Sequence, residues 1–226
     1  MSGSPLTMAI RFDFTRAGEP ERRLPRLHIG GADTSREAAE APMRTTIETE
    51  RLILRPLAMS DAARIAALTS DIDVARMVGM IPYPHPRVAA EGFIQIMHAR
   101  QALGLDHVYA LDAGGEALIG CIGAHRKRAG DIEIGYWVGR PYWGRGYATE
   151  AARAVSAEAL REGPVTATHF VDNPASGRVL EKAGFAYTGE IEPRFSLARG
   201  RNVDARLMML LAQDAAMRRR MGFAAA

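Results

Sequence analysis

The stretch "GYWVGRPYWGRGYATEAARAV", residues 135–155, decides the fold. It completes a run, "IEIGYWV" at 132–138, in which Ile132, Ile134, Tyr136 and Val138 share one face and Glu133, Gly135 and Trp137 the other, the alternation of a strand. Two glycines then bracket an arginine, Gly144-Arg145-Gly146, and "YATEAARAVSAEALRE" follows with Ala148, Ala152, Val155 and Ala159 on one helical stripe. The first N–H groups of a helix lack internal partners, and the helix dipole adds about half a positive charge there. Glycine lets the backbone turn tightly and approach a ligand, so amides from Gly144 to Thr149 are placed to converge on phosphate oxygens. A plain strand-to-helix turn would ask for the same glycines. A P-loop is excluded because no Gly-Lys-Ser/Thr ending is present, and the glycines do not follow the Rossmann spacing.

Upstream, "TTIETERLILRPL" reads as a strand and "MSDAARIAALTS" as a helix capped by Ser60 or Asp61. After the loop "PYPHP" at 82–86, "RVAAEGFIQIMHARQALG" carries Ala90, Phe93, Ile94 and Met97 at helical spacing. The strands "HVYALD" and "EALIGCIGAHR" lead to the opening strand. Downstream come the strand "PVTATHFV", a short helix "PASGRVLEKAG" closed by Gly184, and the strands "FAYTGEI" and "DARLMMLLA". The order is a mixed α/β (α+β) one, an antiparallel meander followed by a βαβ step.

Residues 1–42 are rich in Gly, Pro, Arg and Glu without a sustained period and are expected to form a poorly ordered extension, whereas Met43 opens a cleaner pattern. The domain is expected over 43–212, with a basic tail over 213–226. A hydrophobic content of 47% with 24% charged residues is that of a globular protein, and no apolar run is long enough for a membrane span. Cys121 is the single cysteine, which excludes an internal disulfide and cysteine-clustered zinc; no metal is expected. The first residues lack the charged and apolar regions of a secretory signal, so a cytoplasmic location is expected. A net charge of +3 does not by itself call for nucleic acid.

A second constellation, "NPASGRVLEKAGF" at 173–185, lies at a defined distance from the glycine turn. Together with "YWVGRPYWGRGYATEA", "TERLILRPL" and "ALIGCIG", it closely resembles the GCN5-related N-acetyltransferase (GNAT) superfamily, and within it the RimJ/RimL-like branch. The resemblance covers residues 43 to 212 and implies a splayed, mostly antiparallel central sheet flanked by helices. It implies acetyl-CoA as co-substrate, its diphosphate held by the segment Trp143-Gly144-Arg145-Gly146-Tyr147-Ala148; Trp143 departs from the Arg or Gln usual at that position. It also implies that pantetheine slots between "IEIGYWV" and "VTATHFV", pairing with backbone near Trp137 and Val138.

Acyl transfer from a thioester to an amine needs an unprotonated amine, a donor to the carbonyl oxygen and an acid for the departing thiolate. By the resemblance, the Val138 N–H is the oxyanion donor and Ser176, of the Asn-x-x-Ser pair with Asn173, the acid; Leu180 stands where much of the superfamily has a tyrosine. Ser176 or Asn173 would equally serve as helix N-cap. Glu133 and His169 are the alternative bases, each with a plain structural reading beside it: a solvent-facing strand carboxylate and a satisfied, half-buried histidine. Glu150 complements the helix N-terminus, Cys121 belongs to the core, and Arg194 and Arg199 are read as lying in a loop, either as solvated charges or at the border of the acceptor pocket.

The expected activity is transfer of acetyl to a primary amine, either a protein N-terminus of the ribosomal-protein type or a small amine, by a monomer or homodimer. The rival readings are a degenerate CoA-binding sensor or scaffold and a toxin acting on aminoacyl-tRNA.

Overall fold

The computed structural model describes residues 43–210 apart from 115–117 and 128–129. The expected extension over 1–42 and tail over 213–226 lie outside these residues. The elements in chain order are β1 (Ile47–Glu48), β2 (Ile53–Pro56), α1 (Ala62–Thr69), α2 (Ile72–Ala75), α3 (Arg87–Ala102), β3 (Asp106–Asp112), β4 (Gly120–Arg126) and β5 (Ile132–Val138). They continue with α4 (Tyr147–Ala159), β6 (Val165–Phe170), α5 (Pro174–Ala183), β7 (Phe185–Ser196) and β8 (Arg201–Leu210).

The strands form one eight-stranded sheet in the order β1-β2-β3-β4-β5-β6-β8-β7. Every neighbouring pair is antiparallel except β5 and β6, which the α4 crossover makes parallel. That pair is short: it joins Ile132 to Val165, Glu133 to Thr166 and Ile134 to Ala167, and there it ends. Beyond Ile134 the strands β5 and β6 part, β6 staying with β8 through Phe170. The sheet is therefore splayed at its centre, as the resemblance implies.

Alternation on β5 divides two cores. Ile132, Ile134 and Val138 meet Ala151, Ala152, Val155 and Ala159 of α4 and Leu180 of α5 on one side. On the other, Trp137 and Cys121 join Val108 and Ala110 beneath Ala62 and Ile65 of α1 and Ala90, Ile94 and Met97 of α3.

Several local expectations need correction. The single strand over "TTIETERLILRPL" is two, because Thr49 folds the chain: its N–H donates to the Leu52 carbonyl at 2.9 Å, its hydroxyl oxygen accepts from the Leu52 N–H at 3.0 Å, and Ile47 pairs back onto Leu54. Asp61 does not cap α1 with its side chain; Arg55 takes that carboxylate at 2.8 and 2.9 Å, and the Ala58 N–H donates to it as well. Asp71 opens the short helix α2, absent from the sequence reading, by accepting from the Asp73 N–H. Arg194 lies in a strand rather than a loop, since β7 continues past "FAYTGEI" to Ser196 after a register shift between Tyr187 and Ile191.

Candidate active site

The glycine turn behaves as its chemistry demands. Gly144 and Gly146 hold φ of 74° and 85°, left-handed values that a side chain would strain. The first hydrogen bond of α4 runs from the Glu150 N–H to the Gly146 carbonyl. Among the described residues, the amides of Gly144, Arg145, Gly146, Tyr147, Ala148 and Thr149 have no backbone acceptor. They form a row of open donors where the helix dipole is positive, the arrangement that binds phosphate.

Two contacts fix this row, one across 94 residues of sequence and one within the turn itself. Arg51, in the turn between β1 and β2, donates to the Arg145 carbonyl at 2.9 Å, pairs with Glu150 at 2.6 Å and lies over the Tyr147 ring. By holding the Arg145 carbonyl it constrains the peptide plane that leads into Gly146. Glu150 also accepts from the Thr49 hydroxyl at 2.7 Å and the Arg51 N–H at 2.8 Å. Burial raises the pKa of Glu150, but these bonds outweigh it and hold the carboxylate below its ordinary range. It thus ties the helix to the β1–β2 turn. The second contact is Trp143, whose indole N–H donates to the Val138 carbonyl at 2.6 Å and so links the turn to β5.

The splay exposes backbone on β5. The Gly139 N–H bonds to Ile119 at 2.9 Å, toward β4. Strand alternation then turns the N–H and carbonyl of Val138 the other way, to the side that β6 has left. The carbonyl is taken by Trp143, and the N–H remains as a donor facing the gap. By the same alternation, the Trp137 N–H points back toward β4 and away from the gap.

On the α5 side of the gap stands Ser176. Asn173 is the N-cap, its side chain accepting from the Ser176 N–H at 3.2 Å, so the Ser176 hydroxyl is not committed to capping. It meets the Tyr136 hydroxyl at 2.8 Å, and Tyr136 also reaches the Ser176 carbonyl at 3.1 Å. Burial pushes the Tyr136 phenol well above its ordinary pKa, so it stays protonated and able to donate. A phenol thus reaches this position from β5, while Leu180 at the superfamily's tyrosine position is fully buried.

The two candidate bases are placed differently from each other. Glu133 receives Lys127 at 2.6 Å, the Thr168 hydroxyl at 2.9 Å and Arg194 at 3.6 Å. Burial raises its pKa, but Arg194 and then Lys127 outweigh that and hold it below the usual carboxylate range. A carboxylate so paired has little affinity for a proton near neutral pH. His169 lies on the opposite face of the sheet, 5% exposed under α5. Its Nδ1–H donates to the Phe170 carbonyl at 2.8 Å and its Nε2 accepts from the Tyr187 hydroxyl at 3.1 Å, so both nitrogens are used. Cys121 is buried in an apolar strand, and burial pushes its thiol pKa up. Arg199 pairs with Asp172 at 2.7 Å and donates to the Arg76 carbonyl at 2.8 Å, closing the β7–β8 turn onto the segment after α2.

A splayed sheet beside a row of open amides at a helix N-terminus defines an acetyltransferase of the GNAT fold. Residues 51–186 match the acetyltransferase (GNAT) domain, and the chain belongs to that family. It is similar to the N-acetyltransferase p20 of Bacillus licheniformis, 27% identical over 175 residues that span 75% of this chain and 97% of p20. In fold it is similar to Mycobacterium smegmatis RimJ, solved in complex with CoA-disulfide, with a TM-score of 0.65 and 23% identity over 78% of this chain and 94% of that one. An acetyltransferase from Salmonella typhimurium that modifies the N-terminal serine of a 50S ribosomal subunit protein is similar at a TM-score of 0.63 and 17% identity, over 73% of this chain and 97% of that one.

Proposed function

We propose that this protein transfers the acetyl group of acetyl-CoA to a primary amine, with a protein N-terminus or a small amine as acceptor. The observation that carries the reading is the row of amides from Gly144 to Thr149 that have no backbone acceptor among the described residues, stapled by Arg51 and Trp143 beside the opening between β5 and β6. In this reading the row holds the diphosphate, the Val138 N–H supports the thioester oxygen as it gains charge, and Ser176 protonates the departing thiolate. What the Salmonella and Mycobacterium relatives act on and bind supports a protein N-terminus and CoA as the first to try.

The test pairs calorimetry of CoA with a thiol-release assay over peptides of differing first residue and a set of small amines. The wild type is expected to bind CoA, and Gly146→Glu, which puts a carboxylate among the amides, to bind none. Unchanged affinity in the variant would refute the diphosphate placement. Thiol release with no member of the panel would refute the transferase reading.

A further inference from the structure

The face of the sheet that carries Glu133 holds a second arrangement of titratable groups. His125 on β4 stands in register with Asp106 on β3 and with Glu133 on β5, so the three form one row across the face. Asp106 is the buried member, 2% exposed, and its Oδ1 lies 3.2 Å from His125 Nδ1. Arg100 of α3 pairs with the same carboxylate through both its Nε and its terminal nitrogen. Burial raises the pKa of Asp106, but the hydrogen bonds from His125 and Arg100 outweigh it and hold it at about 2. The carboxylate is therefore charged, and with Nδ1 turned toward it the ring presents Nε2 on its other side.

Nε2 has a fixed direction. A Cβ on Gly123 would lie 2.6 Å from His125 Nε2 and 2.8 Å from its Cε1, so the ring folds along the sheet into the space that the missing side chain leaves. The same nitrogen lies 3.7 Å from where a Cβ on Gly135 would stand, on the strand that borders the opening. Gly123 and Gly135 are cross-strand partners, so together they make a side-chain-free hollow, next along the strands to the Cys121–Trp137 pair. His125 is 37% exposed, and Nε2 makes no hydrogen bond to a described residue. The charged groups around it are Asp106 of β3, Arg100 of α3, and Glu133 of β5 with its cations Lys127 and Arg194.

We infer that His125 is the general base of the acetyl transfer, taking the proton of the acceptor amine on Nε2, and that Asp106 is its positioning residue. The inference rests on the acetyltransferase reading above. The amine nitrogen bonds to the thioester carbonyl carbon as Nε2 takes a proton from it. The carbon–sulfur bond then breaks, its electron pair leaves with sulfur, and the thiolate takes a proton from Ser176. Solvent returns that proton to Ser176 and removes the one from His125, so the sum is amine plus thioester to amide plus thiol. Glu133, neutralised by its cations, lies beside the base and shapes its field without taking the proton.

The test compares His125→Gln with the wild type, using acetyl-CoA and the best amine of the panel, over a pH series. The expected result is an acetyl-CoA affinity unchanged by calorimetry, with kcat/KM lowered about 100-fold or more near neutral pH. The acid limb that the imidazole imposes should vanish, leaving only the limb of the acceptor amine. Added imidazole should restore part of the rate to His125→Ala. Asp106→Asn should keep acetyl-CoA binding, lower kcat and move the acid limb, which a purely structural carboxylate would not do. Gly123→Ala, which keeps His125 but fills the place of its ring, should reproduce the loss. If His125→Gln binds acetyl-CoA and keeps the wild-type rate and profile, the base assignment is overturned while the acetyltransferase reading stands. If the wild type binds no acetyl-CoA, that reading falls and the base assignment with it.

Discussion

Replacing Tyr136 by Phe isolates one contact at the reacting end of the site. The phenyl ring keeps the packing of Tyr136 against the α4 and α5 side, and only the hydroxyl with its bonds of 2.8 Å to Ser176 Oγ and 3.1 Å to the Ser176 carbonyl is lost. When Tyr136 donates to Oγ, the Ser176 proton is free to turn outward, and in the proposed acid role of Ser176 its oxygen is stabilised as it loses that proton to sulfur. A neutral hydrogen bond contributes about 0.5–1.5 kcal/mol, and one to a charged group about 1.5–3 kcal/mol. The ground state therefore loses roughly 1 kcal/mol, a melting-temperature drop of about 2–4 °C for a domain of this size. The transition state loses more: about 1.5–3 kcal/mol corresponds to a kcat lowered roughly 10- to 150-fold. KM for acetyl-CoA should hardly change, because the proposed diphosphate contacts are the amides of Gly144 to Thr149. Ser176→Ala should cost about 10²–10⁴ in kcat. The double variant should be no slower than Ser176→Ala alone, since Tyr136 acts through that hydroxyl. Thiol release measured on the four proteins decides the matter: a Tyr136→Phe enzyme of wild-type kcat, or two losses that simply multiply, would refute the coupling.

Two further outcomes follow from the scaffold. Arg51→Ala frees the Arg145 carbonyl and should weaken CoA severalfold in calorimetry while leaving acetyl-pantetheine, which lacks the diphosphate, as good a substrate as before; equal loss for both would place Arg51 outside the diphosphate site. Gly120→Ala sets a Cβ 2.4 Å from the Trp137 carbonyl oxygen, a backbone atom that cannot step aside. It should cost about 3 kcal/mol and lower the melting temperature by roughly 6–12 °C, and an unchanged melt would show that β5 yields there without strain.

The sequence by itself determined what depends on neighbours along the chain. Period-2 alternation fixed β5 and its two faces, the 3.6-residue stripe fixed α4, and Gly184 with φ of 101° closes α5 where its residue type demands. The open amides at Gly144 to Thr149 belong to the same kind of knowledge, since a helix start after glycine carries them wherever the helix sits. Tertiary structure decided which side chains meet. Arg51 and Glu150 are 99 residues apart, and Tyr136 and Ser176 are 40 apart. No local period encodes such pairs; they exist because the βαβ crossover sets β6 beside β5 and the pairing stops after three residue pairs. The same long-range order gives Glu133 the cations Lys127 and Arg194, which the strand pattern alone presented as an open carboxylate. It also folds His125 over Gly123, because only the register of β3, β4 and β5 brings Asp106, the imidazole and the hollow together. Local propensity sets the elements, while the electrostatics of the site come from charges that the sheet order brings within a few ångströms.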